Sequence, residues 1–257
     1  MSDRITYVGH ATVLIELAGV RLLSDPMLRS RLLHIRRAAD PPDPAVATGI
    51  DAVLVSHMHP DHLDFPSLRR LGREVRVIVP ARGRGWFRRR GFAEVTELWP
   101  GDSTRVGPVE VRATHAAHRG RRYPLGRRVP ALGFDLRGGG RRVYFAGDTA
   151  TFEGMRKLAG GIDIALLPIA GWAHRVSTSH HLDPRTAAEA AAILRPRIVV
   201  PIHWGTLLRA DLIRRHPELL TDPPREFAAE AAELAPEVDV RVLAPGGSQE
   251  LDSIYDR

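Results

Sequence analysis

The chain contains no cysteine. Thiolate zinc sites, iron–sulfur clusters and disulfide staples are excluded at once, and the absence fits a reducing compartment. Lysine is almost missing too: of the 37 basic residues only Lys157 is lysine. Beside abundant alanine, glycine and proline, that skew reads as coding bias. The net charge of +7 therefore does not argue for a nucleic-acid partner, and none is expected. No run of about 18 apolar residues exists, so no membrane-spanning helix is expected. No apolar stretch follows Met1-Ser2-Asp3-Arg4, so no secretory leader is expected and a cytoplasmic location is. There is no fixed-period repeat and no low-complexity linker. The 257 residues are read as one domain, large enough to bury its core without staples.

What is present concentrates in Ser56-His57-Met58-His59-Pro60-Asp61-His62, directly after the apolar run Ala52-Val53-Leu54-Val55. The run reads as a buried strand. In an extended segment His57 and His59 point to one side. Asp61 and His62 follow the turn at Pro60 and approach from another direction. Two neighbouring metal ions suit that arrangement better than one. Imidazole and carboxylate accept Zn, Mn or Fe, with Zn the default.

The remaining chain alternates strands and helices. Residues 4–8, 11–17 and 20–24 read as a strand meander with His10 at its first turn, and Asp25-Pro26 as the turn that ends it. Arg29 to Arg37, followed by a Pro- and Asp-rich stretch, reads as a loop or short amphipathic helix. Its basic residues interleaved with Leu and Ile suit a phosphate or peripheral contact with lipid, or merely a solvated loop with an apolar anchor. Helices are predicted over 66–71, 82–90, 152–159, 184–194 and 224–234. Strands are predicted over 75–79, 94–98, 109–114, 131–136, 142–146, 162–168, 198–202 and 238–243. Asp183 and Pro184 are a good N-cap and first helical residue. The alternation implies an α/β architecture.

His57-Met58-His59-Pro60-Asp61-His62 after a hydrophobic strand resembles the signature of the metallo-β-lactamase-fold hydrolases. Gly9-His10-Ala11-Thr12 and Ile202-His203-Trp204-Gly205-Thr206 resemble the branch that holds the ascorbate-6-phosphate lactonases and the N-acylphosphatidylethanolamine phospholipase D enzymes. The resemblance runs from about residue 5 to about residue 247 and implies a four-layer αβ/βα sandwich. It implies that His57, His59 and His115 hold one ion, that Asp61, His62 and His203 hold the other, and that Asp148 of Gly147-Asp148-Thr149 bridges them. His118, three residues beyond His115 in a Gly/Arg-rich loop, is the rival for third histidine; His115 is preferred because strand ends are held more rigidly than loops.

A hydroxide held between two metal ions would then attack phosphorus or a carbonyl carbon, with Asp61 orienting it and His181 assisting the leaving group. His10, Arg119, Arg121, Trp172 and His180 are the candidate substrate contacts, Arg119 and Arg121 through the guanidinium fork that suits phosphate. The expected substrate is a small or lipid-derived anion bearing a phosphodiester or a lactone-type ester. The alternative is a metal-binding protein without hydrolytic activity, against which stands the presence of all seven ligand positions.

Overall fold

The computed structural model describes residues 2–120, 128–170 and 180–251. The N-terminal meander forms as expected from β1 (Arg4–Gly9), β2 (Thr12–Leu17) and β3 (Val20–Ser24). The next segment corrects the expectation of a loop or helix: β4 (Arg31–Leu32) and β5 (Ile35–Arg37) make a short hairpin. Leu32 and Ile35 are opposed and buried, while Arg31 and Arg36 are opposed and exposed. Strands of two and three residues are too short to show their period against neighbouring arginines.

There follow β6 (Ala52–Leu54), α1 (Phe65–Arg70), β7 (Arg76–Pro80), α2 (Arg84–Arg88) and β8 (Val95–Leu98). The second half begins with β9 (Ser103–Val106), β10 (Val109–His115), β11 (Leu132–Gly138), β12 (Arg141–Phe145) and β13 (Ile164–Pro168). It ends with α3 (Pro184–Leu194), β14 (Ile198–Ile202), β15 (Leu207–Arg209), α4 (Ala210–Arg215), α5 (Asp222–Leu234), β16 (Asp239–Val240) and β17 (Ser248–Glu250). Residues 153–158, predicted helical, form 3-10 turns. The strand predicted over 238–243 shrinks to β16.

Two seven-stranded sheets result, ordered β17-β1-β2-β3-β6-β7-β8 and β9-β10-β11-β12-β13-β14-β16. Each carries three antiparallel pairings and then three parallel ones. β4, β5 and β15 form a third, small sheet. Strand alternation places the layers. Ala52, Leu54 and Ile78 face Phe134, Phe145 and Leu166 in a core between the large sheets. Val53, Val77 and Val79 face Leu68 and Phe87 of the first helical layer. Ala165, Leu167 and Val199 face Ala187, Ala191 and Phe227 of the second. This is the four-layer αβ/βα sandwich. Asp183 caps α3 by accepting from Thr186 N–H, with Pro184 at the first position, as expected.

Parallel strands deliver their loops at one edge of a sheet, the usual place for a site in α/β proteins. Here β6, β12 and β14 run out into His57, Asp148 and His203. Gly147, just ahead of Asp148, has φ +62, and a Cβ there would stand 2.6 Å from the Leu132 carbonyl oxygen. Both the left-handed backbone and the contact oppose any side chain. Gly147→Ala is expected to cost about 2 kcal/mol or more in urea unfolding; an unchanged midpoint would show that this strand end yields freely.

Candidate metal centre

Two histidines of the 57–62 stretch, His57 and His62, have partners that fix which ring nitrogen is bare. The Asp25 carboxylate accepts from Ser56 N–H at 2.7 Å and from Ser56 Oγ–H at 2.5 Å. Ser56 Oγ has then spent its one hydrogen, so at 2.9 Å it accepts from His57 Nδ1–H. Asp25 also accepts from His62 Nδ1–H at 2.8 Å. Backbone carbonyls only accept, so His203 Nδ1–H donates to Ala170 at 2.6 Å and His118 Nδ1–H to His180 at 2.8 Å. In these four histidines Nδ1 carries the proton and Nε2 is left bare. Outer partners of this kind fix the tautomer of ligating histidines.

The bare nitrogens converge in two groups. His57 Nε2 lies 3.0 Å from His59 Nδ1, and His118 Nε2 lies 3.3 Å from the same atom. Asp61, His62, His203 and His10 form the second group. Asp148 stands between them: its Oδ2 is 3.3 Å from His62 Nε2 and 4.0 Å from His57 Nε2, and its Oδ1 is 3.3 Å from His203 Nε2. The Nε2 atoms of His62 and His203 are buried without a hydrogen-bond partner among the described residues. A buried bare nitrogen is costly unless something accepts its lone pair, and a divalent cation does that. The donor set of imidazoles and carboxylates fits such ions.

One expectation is corrected. His118, not His115, joins His57 and His59. His115 ends β10 exposed, its ring edge-on to Phe152 at 5.0 Å. Hydrogen bonds from distant segments hold the loop that carries His118 on both sides of it, which removes the reason for preferring His115. Met58 N–H donates to Gly120, Ala117 N–H to Thr149 Oγ1, and Ala150 N–H to Ala117.

His10 was expected to border the active site, with substrate contact as its candidate role. It is buried, and its Nε2–H donates to Asp61 Oδ2 at 2.9 Å, so it braces a carboxylate instead. His181 is half-buried with Nδ1 3.5 Å from Asp148 Oδ2. His180 contributes its carbonyl to His118, and Arg119 is exposed beside that loop. Arg121 and Trp172 lie outside the described residues.

Sequence reasoning missed Asp25, Ser56 and Tyr7. Tyr7 O–H donates to the Trp204 carbonyl at 2.6 Å and so steadies the turn that carries His203. His10, Asp25 and His203 all have positive φ, at 57°, 35° and 64°. Such strain gathers at functional sites and persists where the surroundings enforce it. His203 N–H to the His10 carbonyl at 2.7 Å and His10 N–H to Thr206 Oγ1 at 2.9 Å supply the enforcement.

Burial, with neighbouring imidazoles adding to it, holds His59 and His203 down to about 4 and His57 well below the usual range. Burial would lower His62 as well, but without a cation Asp148, Asp61 and Asp25 outweigh it and raise that imidazole; a cation at Nε2 would displace the second proton and leave that nitrogen bare for it. Asp148 and Asp61 are held well below the carboxylate range because the surrounding histidines overcome their burial. Burial pushes Asp25 up against the pull of His62 and Ser56. In the unfolded chain a histidine takes its proton near pH 6.5. The folded state therefore binds fewer protons at His57, His59 and His203, and their contribution is full above that pH and lost as pH falls towards 4. His62 works in the opposite sense, present at low pH and lost as pH rises through its raised value. His181 is held down to about 4 as well, so four lowered imidazoles stand against the raised His62 and Asp25, and the melting temperature of metal-stripped protein is expected to fall between about pH 7 and about pH 5. A flat or rising profile in thermal melts would contradict the neutral assignment.

Comparison with known proteins places this geometry among others. A model of the β-lactamase superfamily domain matches residues 20–204. A UPF0173 metal-dependent hydrolase of Opitutus terrae is 35% identical over 96% of this chain and 100% of its own length. The N-acyl-phosphatidylethanolamine-hydrolyzing phospholipase D 1 of Caenorhabditis elegans is 32% identical over 78% of this chain and 63% of its own. Among solved structures, the metallo hydrolase Igni18 from Ignicoccus hospitalis superposes with a TM-score of 0.71 at 26% identity, covering 97% of this chain and 98% of that one.

Proposed function

The chain belongs to the β-lactamase superfamily, among its metal-dependent hydrolases, and from that premise we propose that it hydrolyses a phosphodiester in an anionic small-molecule or lipid-derived substrate. The observation that carries the phosphodiester is the 32% identity, over 226 residues, to a relative named as a phospholipase D. We propose His57, His59 and His118 as one ligand set, Asp61, His62 and His203 as the other, and Asp148 as the carboxylate shared between them. Two divalent ions, zinc by default, supply there a lowered water pKa and an electrophilic pull on a phosphoryl oxygen.

The chain's own groups prepare the rest. Asp61, ionised and braced by His10, would offer an acceptor for the proton of an attacking water. His181 is held down to about 4, chiefly by burial. It is therefore neutral near pH 7 and offers the leaving oxygen a hydrogen bond rather than a charge. Arg119, exposed beside the His118 loop, is suited to the substrate's anionic end.

The test is a parallel initial-rate assay of metal-loaded protein on bis(p-nitrophenyl) phosphate and on a panel of sugar lactones, with His57→Ala as control. Turnover of the diester, abolished in the variant, is expected. Preference for lactones would move the substrate to carbonyl esters. Tight metal binding with neither substrate turned over would favour a metal-binding protein without hydrolytic activity.

A further inference from the structure

The hairpin of β4 and β5 has properties that the metal centre does not use. Leu33 at its tip is 72% exposed and adopts φ 52°, a conformation that bulky side chains avoid. A strained, exposed leucine is costly as mere connection. Behind it Arg31 and Arg36 lie directly opposite each other, which like charges disfavour. Beside the hairpin, β15 pairs with β5, and α4 follows with no buried residue. Between them runs an open groove of about 770 Å³ whose lining includes His34, Arg36, Ile213 and Arg214. Arg209 is occupied by Asp211 at 2.9 Å. Arg31, Arg36, Arg214 and Arg215 form no ion pair among the described residues. The other two arginines of the hairpin segment are committed inward. Arg29 makes a two-pronged contact with Asp64, and Arg37 donates to the Val8 carbonyl.

We propose that this face docks on an anionic membrane surface, with Leu33 entering the interface and Arg31, Arg36, Arg214 and Arg215 facing lipid phosphates. An apolar point within a ring of cations is the arrangement by which proteins lie on membranes without crossing them. A polyanion such as nucleic acid would use the arginines but gives no reason to strain and expose a leucine. The surface also adjoins the metal centre, because β15 begins three residues after the Trp204 that follows His203, and Ala38 N–H donates to Thr206. The inference stands on exposure and charge, independently of which bond the site cleaves.

Co-sedimentation of the metal-loaded full chain with vesicles tests it. Vesicles of phosphatidylcholine containing one third phosphatidylglycerol are expected to carry the protein down at low salt. Phosphatidylcholine alone should not, and raised salt should release it as the charges are screened. Arg31→Glu with Arg36→Glu should weaken partition by roughly 30-fold or more, the loss expected for two cations at such a surface. Leu33→Ser should weaken it by about tenfold. Thermal melting of each variant checks that it folds. No binding to either vesicle would overturn the proposal, as would binding to both that ignores these substitutions. Binding of a short DNA duplex through the same arginines, without vesicle binding, would also overturn it.

Discussion

His118→Ala should abolish turnover and remove one equivalent of bound metal, while His115→Ala should leave both within about twofold of the parent. The contrast follows from position alone. His118 Nε2 is one of two bare nitrogens gathered beside His59 Nδ1, and its proton is locked on the other side by the His180 carbonyl. Loss of an outer partner alone typically costs 10- to 100-fold in metal affinity, so deletion of a ligand should cost at least about a hundredfold. The ring of His115 stands edge-on to Phe152 and the residue is exposed. Truncations at such positions stay within about 0.5 kcal/mol. Metal content after dialysis and initial rates on the same preparations decide it. If His115→Ala loses metal and His118→Ala keeps it, the ligand assignment drawn from the geometry is wrong.

That pair also shows what can be read from sequence here. The 57–62 stretch is legible because its ligands follow one strand within six residues, and spacing alone sets their directions. Asp148 and His203 are legible as short motifs at the ends of apolar strands. The third histidine is different, because two candidates stand three residues apart and the choice depends on contacts from distant segments. Ala117 is held by Thr149, and Met58 by Gly120; no local pattern encodes either. The large sheets announced themselves through runs of Val, Ile and Leu. The hairpin at Leu33 did not, since its strands are only two and three residues long and three of those five residues are arginine. Asp25 was legible only as the turn partner of Pro26, because the histidine it holds is 37 residues away.

Asp25→Asn should be the most damaging single substitution outside the ligands themselves. The side chain is fully buried and its two oxygens accept three hydrogens: Ser56 N–H on Oδ1, and Ser56 Oγ–H with His62 Nδ1–H on Oδ2. An asparagine amide accepts at one atom and donates at the other. With its NH2 in the Oδ1 position it faces the Ser56 N–H, donor against donor. With the amide flipped, it faces His62 Nδ1–H and the Ser56 hydroxyl instead. Neither orientation satisfies the pocket, and an unmet buried donor costs about 1–3 kcal/mol. The consequence for the site is wider than a stability loss. Through Ser56, Asp25 fixes the proton on His57; directly, it fixes the proton on His62. In the proposed centre these histidines belong to different ligand sets, so one carboxylate would orient both. Affinity for both equivalents of metal is expected to fall together, by roughly 10- to 100-fold each. Asp64→Asn separates this from general damage. Asp64 is also buried, but it pairs with Arg29 and caps α1 through Ser67. That variant should lower the melting temperature and leave metal stoichiometry intact. If Asp25→Asn weakens only one equivalent, the two halves of the centre are organised separately. If it weakens neither, the bare-nitrogen assignment for His57 and His62 fails with it.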